Sequence, residues 1–158
     1  IQCPDLAPGT PLSIRSYRGD FRSNFLDTVM GDPAPGVFTL DRTESGQGMV
    51  LLDGAERLAM FRSPHVPSQP AVRGDRIAIL ATGLGPDAVK DRLQVVIGGA
   101  VTPVESMETS IPGIWRIVVK VPDEAPFGDA VPLRLVLNLS GGRRLESNLV
   151  TVAIEDDQ

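Results

Sequence analysis

The chain repeats itself, and the repeat limits what it can fold into more than any other feature. Pro4, Asp5, Ala7 and Pro8 recur as Pro122, Asp123, Ala125 and Pro126 at a constant offset of 118 residues, counted from Pro4 to Pro122. Gly9 then matches Gly128, Pro11-Leu12 matches Pro132-Leu133, and Ser23-Asn24 matches Ser147-Asn148, the offset growing to 124 from Ser23 to Ser147 through small insertions in turns. Ile1 and Cys3 stand where Val119 and Val121 stand. Self-similarity of this kind marks a repeated supersecondary unit. Each copy reads as a strand ending in a Pro-Asp-x-Ala-Pro turn, a strand beginning at Pro-Leu, a glycine hairpin and a final strand opening with Ser-Asn. Proline is tolerated at the first residue of a strand because its missing N–H need not pair there. Ile1 to about Met30 is therefore expected to be the last strands of one β-sandwich unit, and a complete second copy is expected from about Ala71 to Asp156. Because an isolated strand pair is marginal in water, the leading strands call for a cover. Either the sequence is cut from a longer chain, or the middle segment, another chain or a separate fragment covers Ile1–Met30.

An all-β reading also follows from the punctuation. Glycine (16) and proline (14) make up 30 of 158 residues, and they cut the chain into short runs rich in Val, Ile, Leu and Thr. Strands are predicted at Leu12–Tyr17, Asn24–Met30, Val37–Leu40, Met49–Leu52, Arg57–Phe61, Arg76–Thr82, Leu93–Ile97, Trp115–Val121, Pro132–Leu139 and Ser147–Ile154. No segment sustains a period of 3.6 over three turns, so at most a single helical turn is expected, within Asp87–Leu93. Asp53-Gly54, Gly98-Gly99 and Gly141-Gly142 read as tight turns. The domain reading is residues 1–32 as the truncated repeat, 33–70 as a linker carrying a hairpin, and 71–158 as the complete unit. The hairpin within 42–61 is expected to bridge the two repeats and to limit their relative motion.

Composition excludes several classes. Lys+Arg 15 against Asp+Glu 20 gives a net charge of -5, and the basic residues are scattered, so a nucleic-acid footprint is not expected. The longest apolar stretches, Ile77–Ala81 and Ile117–Val119, fall far short of the roughly 20 residues of a membrane helix, so no membrane insertion is expected. Cys3 is the one cysteine; it cannot close an internal disulfide, and His65 alone gives it no metal-binding company. No basic n-region followed by an apolar run opens the sequence, which leaves the compartment open.

Candidate chemistry is sparse. Gly83-Leu84-Gly85 lacks the third glycine and the following helix of a dinucleotide loop, and it reads as a turn. His65 sits between Pro64 and Pro67 with no nucleophile or carboxylate at relay spacing. Asp27, Asp32, Asp41 and the Glu155-Asp156-Asp157 tail do not form a calcium loop; the tail reads as a guard against edge pairing. Arg18-Gly19-Asp20 and Arg73-Gly74-Asp75 match an integrin tripeptide but sit where turn chemistry favours Gly and Asp. Asn138-Leu139-Ser140 matches the N-glycosylation pattern, a short motif that carries little weight on its own. Seven aromatics are few for a stacking platform. Trp115 alternates with Ile117 and Val119 and is expected to share their core face, while Trp115 and Phe61 remain the ligand-binding candidates if the surface takes a sugar. No catalytic residue, cofactor or metal ligand is assigned.

These motifs resemble a known family, the paired immunoglobulin-like repeats at the C-terminus of many large secreted proteins of Solibacter and related acidobacteria. The likeness rests on Ala34-Pro35-Gly36-Val37-Phe38-Thr39-Leu40-Asp41, Gly46-Gln47-Gly48, Arg73-Gly74-Asp75 leading into Ile79-Leu80-Ala81-Thr82-Gly83-Leu84-Gly85-Pro86, Val96-Ile97-Gly98-Gly99, and the Val121-Pro122 turn with its closing Ser147-Asn148. It covers nearly the whole chain; Ala55–Gln69 departs from the pattern, and the first repeat is incomplete. The resemblance implies an immunoglobulin-like β-sandwich in a secreted or cell-surface setting and no enzymatic activity. The functional expectation is a structural or interaction module whose partner is another protein or a surface glycan, the alternative being a carbohydrate-binding accessory domain.

Overall fold

Apolar runs cut by glycine and proline leave the backbone little choice but extended strands joined by tight turns, and the computed structural model is all-β. It describes residues 6–85 and 88–156. Ile1, Cys3, Pro4 and Asp5 of the first copy, and Pro86-Asp87 after the glycine turn, lie outside the described residues. Among those described, the strands are β1 (Pro11–Ile14), β2 (Tyr17–Arg18), β3 (Phe21–Arg22), β4 (Leu26–Val29), β5 (Gly36–Val37), β6 (Val50–Leu52), β7 (Ala71–Val72), β8 (Arg76–Thr82), β9 (Leu93–Ile97), β10 (Ala100–Ile111), β11 (Ile114–Lys120), β12 (Gly128–Asn138), β13 (Arg144–Glu146) and β14 (Val150–Glu155). Helix is limited to single turns at Lys90–Arg92 and Ser140–Gly142. The first lies within the expected stretch.

Strands β5 to β14 form one curled sheet in the order β5-β8-β11-β10-β9-β12-β14-β7, with β6 added on β8 and β13 on β12. The curl comes from β10. Its first residues, Ala100–Pro103, pair with β9, and Val104–Ile111 pair with β11, with register shifts between Val104 and Ser106 and between Glu108 and Ile111. Shifts of this kind bend a strand and sharpen its twist, so one strand serves both halves of the sheet. The halves close on a single core. Ile77, Ile79, Ala81, Ile117 and Val119 come from one half, and Val95, Ile97, Leu133, Val150 and Val152 from the other; all are fully buried. Strand alternation supplies this, every second side chain of β9, β12 and β14 pointing inward.

Two glycines fix the corners. Gly98 and Gly99 have φ of 59° and 93°, and they join Ile97 to its partner Ala100 in a two-residue hairpin, the arrangement that needs positive φ at both positions. Gly83, at φ +72°, lets the chain come close: a Cβ there would lie 1.9 Å from the Ala34 carbonyl oxygen.

Residues 33–70, read from the sequence as a linker carrying a hairpin between two repeats, pack on the sheet of the second unit. Met49–Leu52 does turn back at Asp53-Gly54, Leu52 N–H donating to Arg57 O at 2.9 Å. Residues 57–61 form no regular strand, Leu58 making only single bridges to Leu51 and Ser68. Among the described residues no backbone hydrogen bond or bridge joins the segment to the first repeat. β6 pairs with β8, while Gly48 N–H donates to Thr151 O, Thr151 N–H to Gly46 O and Ala153 N–H to Ala59 O. It thereby seals the open side between β8 and β14, and Val37, Val50 and Ala59 enter the core. The physical reason is that a lone hairpin buries too little to persist, whereas two free sheet edges lay within its reach. A second difference is β10, a strand of 12 residues that was not expected, because Pro103 and the polar run of Glu105, Ser106, Glu108 and Thr109 obscure the period-two pattern.

Candidate interaction site

The two copies of the repeat are built by the same hydrogen bonds. In the first, Ser16 N–H donates to Ser23 Oγ (3.0 Å), Ser23 Oγ–H donates to Asn24 O (2.8 Å), and Ser23 N–H donates to Ser16 O (3.1 Å). In the second, Leu135 N–H donates to Ser147 Oγ (2.9 Å), Ser147 Oγ–H donates to Asn148 O (2.8 Å), and Ser147 N–H donates to Leu135 O (3.0 Å). The serine competes with the ladder for a backbone N–H, as short hydroxyl side chains do, and so sets a bend at the entry to the last strand. Ser16 therefore corresponds to Leu135 at an offset of 119, and Ser23 to Ser147 at 124. The pairing of Ile14 with Leu26 and of Leu133 with Val150 keeps the same offsets. The whole difference falls at the hairpin tip. Pro11-Leu12 accordingly stands opposite Ala130-Val131, and the sequence match to Pro132-Leu133 is two residues out of step.

What differs is the surroundings. The second hairpin is bordered on both edges, by β9 along β12 and by Gly46, Gly48 and Ala59 along β14. Asn148 reaches the incoming strand, where Val37 N–H donates to Oδ1 (2.7 Å) and Nδ2 donates to Val37 O (3.0 Å) and Glu44 O (3.1 Å). In the first hairpin, β1 and β4 pair only with each other among the described residues. Leu12, Ile14, Leu26 and Met30 occupy the positions of the buried Val131, Leu133, Val150 and Ile154. Yet Ile14 is 49% exposed and Leu26 64%.

The tip adds an aromatic surface. Gly19, at φ 59°, turns β2 into β3, where Tyr17 faces Arg22 and Arg18 faces Phe21. Arg15 donates through Nε to Ser23 O at 2.9 Å, and its guanidinium lies 4.7 Å from the Phe25 ring centre and 5.9 Å from that of Tyr17. Arg22 lies 5.9 Å from Tyr17 on the same surface. Tyr17, Phe21 and Phe25 are all exposed. Exposed apolar side chains on a hairpin whose strands pair only with each other among the described residues offer a surface that a partner can cover.

The residues singled out in the sequence lie elsewhere. Trp115 stands in β11 opposite Ala81, half-buried against the core. Phe61 is exposed, its carbonyl accepting from Ser68 Oγ. The two share no hydrogen bond, ring contact or cavity among the described residues. His65 is exposed on its loop. Gly74, at φ +87°, lies in a turn closed by Val72 N–H donating to Asp75 Oδ2 (2.9 Å). Arg73 stacks 3.8 Å from the centre of Phe127 and donates to Ala125 O. That triplet is therefore spent on the turn and on holding the repeat. Asp41 caps Thr43, whose hydroxyl holds the carboxyl below the usual range. Asp32 is likewise lowered, by the hydrogen-bonding guanidinium of Arg143. The described residues include no group of three His, Cys, Asp or Glu side chains able to hold a metal ion, and no described helix is long and apolar enough to cross a membrane. A shallow groove of about 360 Å³ lies between Pro35–Phe38, Glu44, Thr82 and Asn148, beside the clamp on Val37.

Sequence reasoning missed Tyr17, Phe21, Phe25 and Asn24 as surface residues. The signal was present in the repeat itself, which matched Asn24 to Asn148 and placed apolar residues immediately after it. No protein-family model, no curated protein and no solved structure matches the chain.

Proposed function

We propose that the chain is a non-enzymatic, immunoglobulin-like structural or interaction module of an exported bacterial protein. The observation that carries this reading is the exposed apolar face of the first hairpin, set on the same chain as a closed all-β unit with one core. The charged residues support it. Asp53 pairs with Arg76 and Arg116, Arg116 with Glu108, and Arg134 with Glu146, so they brace neighbouring strands rather than converge on a cleft. Surfaces of this kind bind through strand edges and loops. The test is to offer the chain chromogenic esters, glycosides and phosphates, and to titrate it with laminarin, xylan and chitin oligosaccharides. The expected result is no turnover and no saturable glycan binding. Turnover abolished by His65→Ala, or glycan binding abolished by Trp115→Ala or Phe61→Ala, would overturn the proposal.

A further inference from the structure

We infer that the outer edge of β4 is a self-association site, and that its occupant is β4 of a second copy of this chain, laid antiparallel about a two-fold axis at Thr28. The inference deepens the interaction-module reading, on which it rests, by naming the partner. Met30 N–H donates to Thr10 O at 2.8 Å, and this bond sets the phase of the β1–β4 ladder. Antiparallel alternation then makes Leu12–Thr28 and Ile14–Leu26 the hydrogen-bonded pairs of the register, while the backbone groups of Asp27 and Val29 point away from β1. The second unit shows what such a row does. Asp27 and Val29 stand at the positions of Thr151 and Ala153, where Thr151 N–H donates to Gly46 O, Thr151 O accepts from Gly48 N–H, and Ala153 N–H donates to Ala59 O. Among the described residues β4 has no neighbour on that side, and all of its residues are exposed.

The residues along this edge select a second copy and its register. On β1 the outward-facing residues are Pro11 and Ser13, and Pro11 has no N–H, so β1 is the guarded edge and β4 the one able to extend the sheet. Pairing centred on Thr28 sets Asp27 against Val29 of the partner copy, each donating to the other's carbonyl, and sets Thr28 against Thr28 of the partner copy, a favourable cross-strand pair. Sliding one way would oppose the two Asp27 carboxylates directly; sliding the other way would need Gly31, beyond the end of β4. A two-stranded ribbon is marginal in water, whereas four strands with an apolar face persist. The two-fold supplies that face, with Leu12, Ile14 and Leu26 of both copies on one side of a four-stranded sheet. An edge this short buries less than the roughly 1,200 Å² of a standard interface, so the dimer is a weak one.

The test is sedimentation velocity of the 158-residue chain from about 5 μM to about 500 μM, a range suited to a weak dimer, with circular dichroism melting to show that each variant keeps its fold. Asp27→Pro removes an outward donor without touching the β1–β4 ladder, and Ser13→Pro does the same on the β1 edge. The wild type and Ser13→Pro should move toward dimer as concentration rises, and Asp27→Pro should weaken association by at least about 10-fold. A second readout is covalent. In a Cys3→Ser background Thr28→Cys should oxidise to a linked dimer, because a non-hydrogen-bonded antiparallel pair holds its Cα atoms about 4.5 Å apart, within disulfide reach. Asp27→Cys, opposite Val29 of the partner copy, should not. A chain that stays monomeric across the range, a dimer that survives Asp27→Pro, or equal cross-linking at the two positions would overturn the inference. A monomer whose hairpin captures a different partner sinks this inference alone, whereas enzymatic turnover sinks the interaction-module reading and leaves the dimer in place.

Discussion

The side-chain amide of Asn148 forms two hydrogen bonds with the backbone of Val37, accepting from its N–H at 2.7 Å and donating to its C=O at 3.0 Å. One side chain thus imitates the edge of a neighbouring strand, and it fastens β5 to the corner where β14 begins. A partly buried amide that loses both partners leaves two backbone groups unsatisfied, a cost of about 1–3 kcal/mol. Asn148→Ala is therefore expected to lower the unfolding free energy in urea by about 2 kcal/mol. Asn24→Ala, the same change in the uncovered copy, is expected to stay within about 0.5 kcal/mol.

Gly83 offers a steeper contrast. Its carbonyl accepts from Ala34 N–H at 2.8 Å, and a Cβ would collide with the Ala34 carbonyl oxygen. Gly83→Ala is expected to cost more than about 3 kcal/mol, because the added methyl meets backbone at positive φ. Gly113, with φ +82° and nothing within 4 Å, carries the conformational penalty alone, so Gly113→Ala is expected to cost about 1–2 kcal/mol. Thermal unfolding of the two variants side by side checks the difference.

Asp53 sits between Arg76 (3.3 Å) and Arg116 (2.5 Å) with its side chain only 17% exposed. It ties the turn after β6 to β8 and β11. Asp53→Asn is expected to cost about 1–2 kcal/mol and to weaken the salt dependence of unfolding. Glu146→Gln, in the exposed pair with Arg134, is expected to cost under about 1 kcal/mol.

The ion pair of Asp32 with Arg143 (2.7 Å) joins the segment after the first hairpin to the turn between β12 and β13. Arg143 holds the Asp32 carboxyl below its ordinary value of 3.8. A carboxyl lowered in the folded state contributes stability above the unfolded value and loses it as pH falls through the folded one. Unfolding measured from pH 7 down to pH 2.5 should show the wild type losing slightly more stability below about pH 4 than Asp32→Asn does. The difference should be small, since both side chains are about half exposed.

Much of the second unit was legible because its strands combine uniform apolar content with glycine boundaries. Arg76–Thr82 and Leu93–Ile97 fall where the pattern put them. What a local pattern cannot carry is a partner far along the chain. Met49–Leu52 reads as a strand, but nothing within it says that Val50 will face Ile79 and that Gly48 will meet Thr151. The Ser-Asn pair was visible as a repeat, yet the role of Asn148 depends on Val37, 111 residues away. The aromatic tip escaped notice because Tyr17 and Phe25 are eight residues apart in sequence and come together only around the Arg15 guanidinium.

If residues 33–70 complete the core, they are indispensable to it. A fragment of residues 33–158 is expected to unfold cooperatively with a midpoint within a few degrees of the whole chain. A fragment of residues 71–158 lacks Val37, Val50 and Ala59 and exposes two sheet edges, so it is expected to show no cooperative transition. Circular dichroism melting of both fragments checks this.

The most direct measurement is native-state hydrogen exchange at two amides, Ser16 and Leu135, in the 158-residue chain. Each donates to the serine hydroxyl of its own hairpin at nearly the same distance, 3.0 and 2.9 Å, so the local hydrogen bond is held constant and only the cover differs. The account predicts that Leu135 exchanges through global unfolding alone and Ser16 through local opening, at least about 100-fold faster. Equal protection at the two positions would contradict it.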